Sequence, residues 1–171
     1  MSLPAMLEPA YRIDEWSELF VAVAGAGAAL AGLVFVAVSI NIERILKLPG
    51  VPARALATVL LLLVAVIASI FGLAPGQSTT TLGIELLVTG LVAAGMIGRL
   101  VLQSERAAER TRTSRLANRA MTAAGTVPFA LAGASLIAEA GGGLYWVLAG
   151  VVAALTGAVV NAWVLLVEIL R

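Results

Sequence analysis

The 171 residues contain no cysteine and no histidine, and only one aspartate, Asp14, and one lysine, Lys47. Without cysteine there is neither a disulfide nor a thiolate nucleophile. Without histidine there is no imidazole base, and the common ligands of zinc, haem and iron–sulfur clusters are gone. No metal and no cofactor are therefore expected. Hydrolytic chemistry needs a nucleophile with a base, a carboxylate pair or a metal, and these residues leave only a serine with Lys47, which sits in a loop. The chain reads as a non-enzyme with no catalytic residue. Charge is also scarce, at 12% of residues and a net +1, so no broad basic field points to nucleic acid.

What fills the chain instead is apolar. Hydrophobic residues make up 61% and mean hydropathy is +1.04, a composition that no single soluble core of this length can bury. The charges that remain divide it into five apolar runs, approximately 19–42, 55–74, 82–102, 120–138 and 144–167. At about 1.5 Å per helical residue, runs of this length cross a hydrocarbon layer of about 30 Å. The reading is an all-α polytopic membrane helix bundle of five transmembrane helices in one domain, 1–171. An acidic lead with Glu8, Asp14, Glu15 and Glu18 is unlike a cleaved secretory signal. Pro49, Gly50 and Pro52 punctuate the first turn and Pro75-Gly76 the second. The Ala, Glu, Arg and Gln content of the connection 99–119 favours helix, so the third and fourth helices should project beyond the membrane. Pro128 in the fourth run predicts a kink or a free carbonyl at Ala124.

Orientation follows from the cations. With the N-terminus outside and the C-terminus cytoplasmic, ten Lys and Arg fall on the inner side and only Arg12 on the outer. Tyr11, Trp16, Tyr145 and Trp146 then gather at the outer interface, where amphipathic rings settle. If the short fourth run does not cross, the C-terminus moves outside.

Small residues recur at helical steps in several spans. Ala22, Gly25, Ala29 and Gly32 form a stripe on the first, continued by Val36 and Ser39; Gly90, Ala94 and Gly98 lie on the third; Gly150 and Gly157 lead to Asn161 on the fifth. Such stripes let two helix backbones approach closely, or leave room for water if they line a pore. Asn161 reads as an interhelical hydrogen bond or as part of a polar stripe facing water. Glu85 reads as an ion or proton site reached from outside, or as an acid near the headgroups and the positive end of its helix. Glu18 and Glu43 stand at the two ends of the first helix, where copies of the chain would form acidic rings. Arg106, Arg110, Arg112, Arg115 and Arg119 fix topology and offer contacts to anionic lipid or to a partner.

The run Trp16-Ser-Glu-Leu-Phe20, then Ala24-Gly-Ala26, Ala28-Ala-Leu-Ala-Gly32-Leu-Val-Phe35-Val and Ser39-Ile-Asn41, with Leu48-Pro-Gly50 and Pro75-Gly-Gln77, resembles a family of small bacterial multi-span membrane proteins. The resemblance covers roughly residues 16–90. It implies a multi-pass protein of the bacterial cytoplasmic (inner) membrane and brings no activity, cofactor or site with it.

Lipid is the expected environment. The expected function is a homo-oligomeric channel or transporter for ions or small solutes; the alternative is an accessory or scaffold subunit docked to a membrane partner protein. Because the chain has no native cysteine, its orientation is directly testable. A Ser78→Cys variant is expected to react with a membrane-impermeant maleimide in intact cells, and Arg112→Cys only after permeabilisation. The reverse pattern contradicts the orientation.

Overall fold

The computed structural model describes residues 8–107 and 112–170, without the side chains of 8, 164–166 and 168–170. Two 3-10 turns, Glu8–Tyr11 and Ile13–Trp16, lead into α1 (Ser17–Ile40), followed by the short α2 (Ile42–Lys47), α3 (Val51–Gly72), α4 (Thr79–Ala107), α5 (Arg112–Ala138) and α6 (Tyr145–Leu170). Five of these helices are long and apolar enough to cross a membrane. In helices of this length nearly every backbone N–H and C=O is satisfied within the segment, which is what a lipid environment demands.

Helix boundaries follow local chemistry more than charge. The first apolar run was expected to continue to residue 42, but α1 stops at Ile40. There Asn41 donates its side-chain amide to the Ala37 carbonyl at 2.9 Å, and its own carbonyl opens α2 by accepting from Arg44 and Ile45. Gly50 takes a left-handed φ of 77° before α3, and Pro52 lies in that helix's opening turn, where its missing N–H costs nothing. Helices α4 and α5 begin earlier than the apolar runs, at Thr79 and Arg112; at the first of these the Ser78 hydroxyl accepts from the Thr81 amide at 3.1 Å and caps the helix start. Both arms of the arginine-rich connection are thus helical, as expected, and α5 runs through Pro128 uninterrupted.

The helices α3, α4, α5 and α6 form a closed ring of neighbours, each packed on the next, while α1 lies outside and packs mainly on α3. Phe129, Leu62, Leu86 and Leu136 are fully buried. The tightest crossing is between α4 and α5. A Cβ at Gly133 would collide with the Gly83 carbonyl and the Leu87 amide, and one at Gly90 would collide with the backbone of Ala130. In lipid, where tails are as apolar as leucine, such backbone contact supplies the van der Waals attraction that holds helices together.

At the end away from the arginines, the N-terminal segment straps the α5–α6 turn. The Leu144 amide donates to the Ala10 carbonyl at 2.9 Å, and the Gly142 amide donates to the Tyr11 hydroxyl at 3.2 Å. Trp16 donates its indole N–H to the Pro9 carbonyl at 2.8 Å and meets Tyr145 edge-on, with ring centroids 5.0 Å apart. The aromatic residues expected at one interface therefore do share one end of the bundle, with Trp16 and Tyr145 in direct contact.

The α4–α5 crossing makes opposite predictions for two glycines. Gly133→Ala should destabilise the fold by about 1–3 kcal/mol through overpacking. Gly98→Ala, with nothing within 4 Å of an added Cβ, should be neutral or stabilising. An SDS-unfolding titration of the purified protein checks both; equal effects would mean that the crossing does not control stability.

Candidate functional site

Helix α1 has two opposed faces. Phe20, Val23, Gly27 and Ala31 are buried, Phe20 lying on the bare backbone of Gly72 and Gly27 facing Val66. At 100° per residue, Glu18, Ala22, Gly25, Ala29, Gly32 and Val36 fall on the far side. All of them are exposed, as is Ser39, whose hydroxyl donates to the Phe35 carbonyl at 2.9 Å. A Cβ on Gly25 or Gly32 would meet no atom within 4 Å. The small-residue stripe singled out in the sequence therefore packs on nothing among the described residues. A second set of small residues, Gly27 and Ala31, is the one that docks α1 on α3. Both sets obey helical spacing, so spacing alone could not choose between them. Glu18 is exposed in the first turn of α1, whereas Glu43, expected at that helix's other end, is exposed on α2, beyond the break at Asn41.

The other predicted stripes divide. On α4 the buried line is Gly83, Leu86, Gly90, Ala93 and Ile97, in alternating steps of three and four. Gly90 belongs to it. Ala94 and Gly98 rotate away to half-buried positions, because each four-residue step advances about 40° around a helix of 3.6 residues per turn. On α6, Gly150 is buried against the Phe129 ring and Gly157 against Met121 and Leu61, so both are packing positions inside the ring.

Asn161 is buried and accepts a hydrogen bond from Arg54 Nη2 at 3.2 Å, the interhelical bond that was one of its two readings. Arg54 itself is only 8% exposed. Around this pair, Ser104, Asn118 and Thr122 line a cavity of about 10 Å³, room for a single water. Next to Ser104, the buried Glu105 accepts from Arg119 Nε at 3.0 Å and from Nη2 at 2.6 Å. One end of the bundle is thus held by polar bonds linking α3 to α6 and α4 to α5. Neither Arg54 nor Glu105 was among the residues singled out from the sequence. The available signal was position: Arg54 sits in the first turn of α3, where the helix dipole disfavours a cation, so a compensating partner was to be sought.

Glu85 lies seven residues into α4, half-buried, and accepts from the Gln77 side-chain amide. It does not line the neighbouring open cleft of about 470 Å³, which is bordered by Tyr11, Arg12, Ser17, Gln77 and Thr79. Arg106, Arg112, Arg115 and Arg119 are exposed along the two helical arms. Arg110 lies outside the described residues, as does the side chain of Glu168. Among the described residues no three acidic side chains gather into a metal-binding group.

The Arg54–Asn161 bond predicts that Asn161→Leu, which keeps the volume but removes the acceptor from a buried guanidinium, destabilises by about 1–3 kcal/mol. Thr156→Leu, exposed on the same helix, should stay within about 0.5 kcal/mol of the parent. Equal unfolding midpoints for the two variants would make the bond incidental. No protein-family model, curated protein or solved structure matches this chain.

Proposed function

We propose that the chain is a multi-pass protein of the bacterial cytoplasmic membrane that assembles with copies of itself and conducts ions or small solutes passively. One observation carries this reading: α1 turns a stripe of small residues, Ala22, Gly25, Ala29 and Gly32, away from its own bundle, flanked by exposed Val21, Leu33 and Val36. Lipid-facing helix surfaces are well served by bulky aliphatic side chains. A bare Gly and Ala surface instead suits close approach by another helix, or a water-filled axis. The α3–α6 ring closes without α1, which supports α1 as the element free to meet a neighbouring copy. Glu18 in the first turn of α1 and Glu43 on α2 would become acidic rings around a shared axis and favour cations. The bias of ten cations against one supports an outer N-terminus and a cytoplasmic C-terminus.

A second reading, an accessory subunit, is favoured by Arg106, Arg112 and Arg115 on the exposed helical arms, a basic surface suited to an acidic partner. Recovery of one stoichiometric partner after gentle solubilisation would favour it over conduction.

The outward face makes a clean variant available. An added Cβ at Gly25 or Gly32 meets no described atom within 4 Å, so in Gly25→Leu and Gly32→Leu folding should persist while cation flux into proteoliposomes falls at least tenfold. Undiminished flux in folded variants overturns conduction along this face; absence of flux in the parent protein overturns conduction altogether.

A further inference from the structure

Between α1 and α6 runs an apolar trough of about 370 Å³. Leu62 of α3, fully buried, forms its floor; Leu33 and Ala37 form one wall, and Ala158, Ala162 and Trp163 the other. It begins at Leu30, near the middle of α1, and ends at Asn41 and Ile45, where α1 gives way to α2. Eleven helical residues separate Leu30 from Asn41, about 16 Å, which is half of a hydrocarbon core of about 30 Å. The trough therefore has the length of one leaflet.

The trough is open along one side and its lining is apolar apart from Asn41, a surface suited to an extended hydrocarbon chain.

Charge lies beside its end, on α2, although neither Arg44 nor Lys47 lines the trough itself. The short α2 is amphipathic: Ile42, Ile45 and Leu46 share one side, with Ile45 buried against Val51 and Ala55, while Glu43, Arg44 and Lys47 share the other and are exposed. Such a helix lies in the interface with its cations at headgroup level. Neither Arg44 nor Lys47 forms an ion pair among the described residues. Trp163, 66% exposed, stands about 27 Å along α6 from Tyr145, at the depth where indoles meet headgroups.

We infer that this trough binds one anionic glycerophospholipid, with an acyl chain laid between α1 and α6 and its phosphate held by Arg44 and Lys47. The inference rests on the membrane-spanning reading and is independent of conduction.

The test is native mass spectrometry of the purified full chain, given equal amounts of phosphatidylglycerol and phosphatidylcholine. One phosphatidylglycerol per chain should be retained, at least fivefold over phosphatidylcholine. Ala37→Trp, at an exposed wall position that leaves the core untouched, should reduce retention of both lipids at least fivefold. The double variant R44Q/K47Q should keep a lipid but lose the headgroup preference. Retention unchanged by Ala37→Trp, or equal for the two headgroups in the parent protein, overturns the site. A dimer that Ala37→Trp dissociates while lipid content is unchanged overturns it in favour of a second copy. Release of the parent chain from membranes by alkaline carbonate overturns the spanning reading beneath it, whereas absence of flux in a parent protein that retains the lipid overturns conduction alone.

Discussion

The crossing of α4 and α5 at Gly83, Gly90 and Gly133 is the contact on which the rest of the bundle depends. Backbone meets backbone there with no room for a single added methyl. In a solvent as apolar as the side chains, contact of this kind replaces the hydrophobic effect as the source of helix association. Once α4 and α5 are held in this way, their outer neighbours have fixed surfaces to pack on. The α5 side presents Phe129, which covers Gly150 of α6, and α6 in turn brings Gly157 onto Leu61 of α3, so that the ring closes.

Polar groups are sorted to the two ends of that ring. One end is sealed by the N-terminal strap, with backbone bonds from the α5–α6 turn to Ala10 and Tyr11. The other holds Arg54 with Asn161 and Glu105 with Arg119. Between them the buried hydroxyls of Thr58, Ser69 and Thr126 return to carbonyls one turn back, which satisfies them without a partner helix. These hydroxyls are thus satisfied within the chain, and the least buried of the five long helices is α1.

Class and helix number were legible in the sequence because they depend on length and on the near absence of charge. The helical arms around 99–119 were legible from propensity, and the aromatic end from Tyr11, Trp16 and Tyr145. Which face of each helix packs was not. On α1 the inward set Phe20, Val23, Gly27 and Ala31 and the outward set Ala22, Gly25, Ala29 and Gly32 have the same periodicity, and only the position of Gly72 and Val66 on another helix distinguishes them. On α4 the four-residue glycine steps were followed too far, since the packing line needed alternating threes and fours. The Arg54–Asn161 bond joins residues 107 apart in sequence, and no local pattern records it.

In the proposed function, the outward face of α1 is where copies of this chain meet. The most direct measurement is the subunit number of the wild-type protein, ejected from lipid nanodiscs and weighed by native mass spectrometry. The proposed function predicts a closed ring of about four or more copies. A monomer across the accessible range of protein concentration would contradict it, leaving the small-residue face of α1 against lipid.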